Sequence, residues 1–158
     1  MTRKKSNYKP KSAYVSSPLF KMTKEQHEFI NTSIRNSFKI MVSGKFTQRQ
    51  WVDMLTRMIV GKLMIAKHYE EISAKEFEPC VEALVNIELR AAEKNHDTWD
   101  MTEEEKELLE AGLDAVEQIQ VEVSRMDFLN AHREADKIIT KMYINKRTGI
   151  EKGLITTK

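Results

Sequence analysis

Cysteine, proline, glycine and long apolar runs are all scarce in this sequence, and each scarcity narrows the class of protein. A single cysteine, Cys80, rules out a disulfide within the chain and a paired-cysteine zinc motif. Three prolines and five glycines are too few for the frequent turns of an all-β protein. No run approaches the roughly 18 apolar residues of a membrane span, and no signal-peptide stretch follows the basic start. These features predict a helical protein of a reducing cytoplasm, with no membrane contact.

Sequence patterns that carry catalysis are also missing. The glycines are isolated, so there is no glycine-rich phosphate loop. Cys80 lies among inward apolar residues, which favours a buried thiol over a nucleophile. Glu93 and His96 form an E-x-x-H pair of the kind found in di-iron bundles, but neither His68 nor His132 belongs to the second pair that such sites need. We therefore predict no catalytic residue, metal ligand or cofactor. The hypothesis that competes with this prediction is an enzyme with a carboxylate site on its helices, and such an enzyme would require a bound metal.

Charge is abundant, at 32% of the residues, and it is segregated along the chain although the net charge is only +2. Residues 1–24 contain basic side chains and no acidic one. Acidic side chains dominate residues 70–122, and basic ones dominate again over residues 141–158. This pattern predicts cationic ends on either side of an anionic middle region.

Five helix starts are indicated by a Ser or Thr that is followed three residues later by Gln, Glu or Asp, the pattern of a capping box. The five pairs are Thr23 with Gln26, Thr47 with Gln50, Ser73 with Glu76, Thr102 with Glu105, and Ser124 with Asp127. Pro79 moves the third start toward Glu78, because proline is best tolerated at the first helical position. The fifth pair marks either a new helix or a bend in the fourth.

Each predicted helix has an apolar stripe at helical spacing. The inward residues are Phe29, Ile30, Ile34, Phe38 and Met41 in helix 1; Trp51, Met54, Leu55, Met58, Ile59, Leu63, Ile65 and Ala66 in helix 2; Phe77, Val81, Leu84, Val85, Ile87 and Leu89 in helix 3; Leu108, Leu109, Leu113, Val116, Ile119 and Val123 in helix 4; and Phe128, Leu129, Ala131, Ala135, Ile138, Ile139 and Met142 in helix 5. Helix 2 is the most apolar and is predicted to lie at the centre. The fold class is therefore all-α, a bundle of four to five helices over residues 23–148, with a flexible basic arm at 1–22 and a frayed tail at 149–158.

Two charged segments are candidate binding sites. Exposed acidic residues of helices 3 and 4 form a candidate protein-binding face: Glu82, Glu93, Glu103, Glu104, Glu107 and Glu110. The last four begin a helix, where the macrodipole also favours negative charge. Basic and aromatic residues of the arm can neutralise phosphates and stack on bases: Arg3, Lys4, Lys5, Tyr8, Lys9 and Lys11. The arm could instead solubilise the chain, or contact the acidic face of the same molecule or a neighbour, which would favour a homodimer.

Two further patterns have alternative interpretations. Met41, Met54, Met58 and Met64 are typical either of core packing, which is the simpler account, or of an adaptable binding surface. A helix-turn-helix is conceivable after residues 43–45, with Gln48, Arg49 and Arg57 as base-contacting side chains. The second helix is otherwise too apolar for a recognition helix, which exposes polar side chains to base edges.

Two sequence features suggest a resemblance to known proteins. They are the basic start Lys4-Lys5 with Tyr8-Lys9-Pro10-Lys11, and the turn Val42-Ser43-Gly44-Lys45-Phe46-Thr47 before an apolar helix. In these features and in its helix order the chain resembles a group of small helical proteins encoded by phages and prophages. The resemblance implies an accessory protein that acts in the bacterial cytoplasm by binding a host protein, such as a defence or nucleic-acid-processing system. It carries over no catalytic residue.

The sequence thus predicts a non-enzymatic binding protein that presents its acidic face to a basic surface of a host protein. The alternative is a nucleic-acid-binding module that uses the basic arm.

Overall fold

The structure is a computed structural model that describes residues 21–68 and 75–151, without the side chains of residues 68, 76 and 143–151. These residues form helices and no strand, which confirms the predicted all-α class. The five α-helices are α1 (Lys24–Val42), α2 (Gln48–His68), α3 (Glu78–Glu93), α4 (Glu103–Gln120) and α5 (Arg125–Glu151), and a short 3-10 turn (Lys75–Phe77) precedes α3.

The helices α1 and α4 begin at reciprocal capping boxes, as the sequence predicts. The backbone N–H of Thr23 donates to Gln26 Oε1 at 2.9 Å, and the N–H of Gln26 donates to Thr23 Oγ1 at 3.2 Å. Thr102 and Glu105 repeat the arrangement with the same two distances. Each box satisfies two amide groups that a helix start otherwise leaves without partners.

Two other predicted caps are also present, in part. The N–H of Thr47 donates to Gln50 Oε1 at 2.9 Å at the start of α2. Ser124 Oγ accepts from the N–H of Asp127 at 3.1 Å, and residues 121–124 are not helical. The fifth pair therefore opens a separate helix, and α4 and α5 are not one bent helix.

The third helix begins at Glu78, three residues after the first residue of the 3-10 turn. Pro79 lies within the first two positions of α3, where the missing proline N–H costs no hydrogen bond. No side chain caps this start, and the predicted cap at residue 73 lies outside the described residues.

The second helix is the centre of the bundle, as predicted, because it packs against each of the other four. Three methionines of α2, Met54, Met58 and Met64, are buried, and so is Met41 of α1. Close approach to α4 occurs at Gly61, where a Cβ atom would lie 2.6 Å from Val116 Cγ2. The glycine therefore serves packing between helices.

Six residues predicted to face the core are exposed instead: Phe29, Ala66, Val85, Leu89, Leu129 and Met142. Four of the six adjoin a residue that does face the core, and successive helical residues point about 100° apart. In these four pairs one residue faces the core and the other does not, so Ile65 is buried and Ala66 is exposed. Leu89 lies two residues beyond buried Ile87, on the opposite side of α3.

The predicted domain boundaries shift at both ends. Residues 1–20 of the predicted arm lie outside the described residues, but Met22, which was assigned to the arm, is 9% exposed and belongs to the core. At the other end α5 continues to Glu151, so residues 149–151 are helical although the sequence predicted a tail from 149.

Candidate functional site

An apolar groove lies between α3 and α5, and α2 contributes to its lining. Its volume is about 250 Å³. The lining residues are Trp51, Leu55 and Ile59 from α2, Val81, Val85 and Glu88 from α3, and Ile139 and Met142 from α5. The α2 residues are four apart, so a single stripe of the central helix forms one side of the groove.

The groove leaves apolar side chains in contact with solvent. Met142 follows buried Ile139 by three residues and therefore lies on the inward stripe of α5, yet its side chain is 50% exposed. Val85, on the opposite side of the groove, is 42% exposed. The sequence prediction failed at Met142 because no described helix covers this stretch of the stripe. Both helices present apolar surface toward a space that a further element could fill.

The outer surface of α3 continues this apolar region and adds acidic residues at its ends. Glu82, Val85, Leu89 and Glu93 are spaced by three, four and four residues, so they form one stripe along the helix. All four are exposed, and Leu89 is 54% exposed. We call this set the α3 stripe. An apolar centre with a polar rim is the usual anatomy of a protein-binding surface.

The six acidic residues predicted as one face divide into two groups. Glu82 and Glu93 belong to the α3 stripe and are 11 positions apart in the sequence, which is roughly 16 Å along a helix. The other four lie within the first turns of α4: Glu103, Glu104, Glu107 and Glu110. All six are exposed, and among the described residues only Glu103 has an ion-pair partner, Lys106, at 3.8 Å. Glu103 and Glu104 of this group lie in the first turn of α4, where the helix dipole favours negative charge.

The connection between α3 and α4 is held by Arg90. Its guanidinium binds Asp100 Oδ1 at 3.0 Å and both carboxylate oxygens of Glu105. Hydrogen bonds from Lys94 and Arg90 lower the pKa of Asp100. Burial works against ionisation of Glu105, but hydrogen bonds from Arg90 and the Thr102 amide lower its pKa overall. This ion-pair network fixes the end of α3 beside the start of α4, and so fixes the α3 stripe.

The E-x-x-H pair does not form a metal site. The third helix ends at Glu93, and His96 lies beyond it with a positive φ of 60°. His96 Nε2 instead lies 3.3 Å from Glu88 Oε1, at the edge of the groove. Within the described part of the chain, no group of three or more His, Cys, Asp or Glu side chains is placed to hold a metal ion.

The thiol of Cys80 is buried, as predicted. Its Sγ donates to the carbonyl oxygen of Leu108 at 3.3 Å, and a Cβ atom added at Gly112 would lie only 2.7 Å from it. Burial raises the pKa of this thiol, which favours its protonated form. The cysteine therefore packs α3 against α4.

A buried arginine contradicts the helix-turn-helix alternative. Arg57 is 1% exposed, and it donates to Asn31 Oδ1 at 2.8 Å. Its Nε and Nη1 atoms have no hydrogen-bond partner among the described residues. Burial lowers the pKa of Arg57 to about 10. Arg57 cannot contact bases. Gln48 and Arg49 at the start of α2 are exposed, but this helix packs against four others and is not free to enter a DNA groove.

The six basic-arm residues lie outside the described residues: Arg3, Lys4, Lys5, Tyr8, Lys9 and Lys11. Their role in nucleic-acid binding stays a prediction. None of the helices in the described ranges is long and apolar enough to cross a membrane. Sequence reasoning missed the groove, because Val85 and Met142, which line it, were both assigned to the core. Comparison with known proteins gave no match to a protein family, to a characterised protein or to a solved structure.

Proposed function

We propose that this chain is a non-enzymatic protein-binding domain, whose binding surface is the α3 stripe together with the adjoining apolar groove. The observation that carries the proposal is the half-exposed Met142 on the inward stripe of α5, opposite Val85. Apolar side chains on both sides of an open groove favour a partner that covers them. Each such side chain gains up to about 1.5–3 kcal/mol on complete burial, which is enough to drive association when several are covered together.

The partner that fits this surface is an amphipathic helix with basic residues beside its apolar face. The groove lies between two helices, and a third helix can contact both with residues at i, i+3, i+4 and i+7. Glu82 and Glu93 flank the exposed Val85 and Leu89, so Lys or Arg side chains at matching positions of the partner would form ion pairs. Two of the six predicted acidic residues, Glu82 and Glu93, thus act as the rim, and the apolar residues between them supply the affinity.

The resemblance to small phage and prophage proteins supports a host protein of the bacterial cytoplasm as the partner. In that setting the chain occupies a basic surface of a host system and has no catalytic step of its own. The alternative function is nucleic-acid binding by the basic arm, and one experiment separates the two.

That experiment is capture of partners from bacterial lysate on the immobilised full chain, with and without nuclease treatment. The test variant is Val85→Ser with Leu89→Ser. Its matched control is Val42→Ser, because Val42 and Val85 are both 42% exposed. We expect a protein that survives nuclease, is retained by the control and is lost from the test variant.

A second variant addresses the arm within the full chain, with Arg3, Lys4, Lys5, Lys9 and Lys11 all replaced by Ser. Loss of the captured material in this variant and after nuclease, with no effect of the α3 changes, would move the assignment to the nucleic-acid-binding alternative. Retention of the same protein by every variant would contradict both proposed binding surfaces, the α3 stripe and the basic arm.

A further inference from the structure

A second exposed apolar surface lies where α1 and α5 begin, and it is formed by residues different from those of the α3 stripe. Phe29 is 78% exposed, Met126 is 60% exposed and Leu129 is 37% exposed. A phenylalanine this exposed on a helix is unusual, because a buried aromatic ring removes a large apolar area from water. The three side chains mark a contact surface.

Phe29 stands between two depressions. One has a volume of about 460 Å³ and is lined by Phe29 with Met22, Glu25, Gln26, Ile30, Arg125, Phe128 and Leu129. The other, of about 510 Å³, lies along the polar side of α1 and includes Glu28, Thr32 and Asn36. The patch therefore combines a protruding aromatic ring with an apolar hollow beside it.

The charges on the apolar hollow are also of both signs. Glu25 on α1 and Arg125 on α5 both line it, and both are exposed. Within the described ranges neither has an ion-pair partner, whereas nearby Glu28 lies 3.8 Å from Lys24 Nζ. A protruding ring beside a hollow, with an acid and a base both lining that hollow, makes the surface complementary to itself.

Self-complementarity is the property that a twofold symmetric contact requires, because the same patch meets its own copy. We propose that this surface binds a second copy of this chain. Phe29 of one copy enters the hollow of the other, and Glu25 of each copy pairs with Arg125 of its partner. The inference is independent of the proposed function, since no residue of the α3 stripe takes part.

The test is sedimentation equilibrium of the full chain over a range of concentrations. We expect a dimer, and we expect Phe29→Ser to raise its dissociation constant by about tenfold or more, because the change removes an aromatic contact from each copy. Phe29 is largely exposed, so the variant keeps its fold, which circular dichroism checks. The control is Ile40→Ser on the same helix, where Ile40 is 41% exposed and lies outside both depressions.

Charge reversal tests the symmetry itself. Glu25→Arg and Arg125→Glu each place like charges together in a homodimer, so each should weaken it. Mixing the two variants restores both oppositely charged pairs, and a heterodimer should form from the mixture. Three results would each overturn the proposal. They are a chain that is monomeric at every concentration, a dimer whose dissociation constant Phe29→Ser does not change, and two charge-reversed variants that form no heterodimer when they are mixed. An unchanged dimer in the Val85→Ser, Leu89→Ser variant keeps this result separate from that of the proposed function.

Discussion

Trp51 of α2 donates its indole N–H to the carbonyl oxygen of Leu84 in α3, at 2.8 Å. The ring also lies 6.0 Å from that of Trp99, which in turn lies 6.2 Å from Phe46. Trp51 is one of the residues that line the groove. A single side chain therefore joins the central helix to α3 and sets the shape of the candidate binding surface.

Replacing Trp51 with Phe removes this hydrogen bond and part of the ring. We expect the free energy of unfolding to fall by about 1–3 kcal/mol, from the lost hydrogen bond and the space left in the core. Urea denaturation measures the loss. Ile40→Ser, at an exposed site, should change the value by less than about 0.5 kcal/mol. Equal stability of the two variants would contradict a role for Trp51 in joining the helices.

Gly61→Ala tests the close contact between α2 and α4. The added methyl group would lie 2.6 Å from Val116 Cγ2 and 3.0 Å from the Phe77 ring, so the surrounding side chains or helices have to shift. We expect a destabilisation of about 1–3 kcal/mol, as for other overfilled cores. Adding Val116→Ala provides room for the methyl group, so the double variant should lose less stability than the sum of the single changes. Strict additivity would mean that the two residues do not meet.

Arg90→Met tests the network that holds the connection between α3 and α4. The change leaves the largely buried Glu105 carboxylate without its arginine, and we expect a loss of about 1–3 kcal/mol at neutral pH. Lys94→Met removes an exposed ion pair with Asp100 and should cost no more than about 1 kcal/mol. Thermal unfolding of both variants gives the comparison.

The same network makes stability depend on pH. The pKa values of Asp100 and Glu105 are lower in the folded chain than their ordinary values of 3.8 and 4.5. Their ionised forms therefore stabilise the fold at neutral pH, and this contribution is lost as the pH falls below about 4.5 and through the lowered values. We expect the melting temperature to drop in this range in the native chain, and to drop less in Arg90→Met. If the melting temperatures of the native chain and of Arg90→Met fell by the same amount over this pH range, the arginine would not set these pKa values.

Arg57→Met tests whether the buried guanidinium stabilises the fold. The arginine leaves Nε and Nη1 without partners among the described residues, so its burial is costly. A methionine of similar length fills the space without that cost, and we expect stability within about 1 kcal/mol of the native chain or above it. Arg57→Ala leaves a cavity and should lose about 2–4 kcal/mol. A large loss in both variants would show that the charge itself is required.

The sequence predicted the helices well because their signals are local. Capping pairs such as Thr102 with Glu105 act over three residues, and the apolar periodicity of α2 identified it as the central helix. The burial of Cys80 and of the core methionines follows from the same periodicity.

The candidate site was only partly predictable, because it depends on which helices do not meet. Periodicity placed Met142 on the inward stripe of α5, and it does lie there, but no pattern in the sequence reveals that α3 and α5 leave a groove between them. Adjacent apolar pairs, such as Leu84 with Val85, left open which residue faces the core. The burial of Arg57 depends on the surrounding helices, so it could not be predicted from the residues next to it in the sequence.

Photo-crosslinking from the α3 stripe is the most direct test of the protein-binding claim. Benzoylphenylalanine replaces Leu89 in one variant and Ile40 in another, two exposed apolar positions on different helices. After irradiation in bacterial lysate, the account predicts a defined, nuclease-resistant protein adduct from position 89 and none from position 40. The same adducts from both positions, or an adduct at position 89 that nuclease removes, would contradict a protein-binding surface on α3.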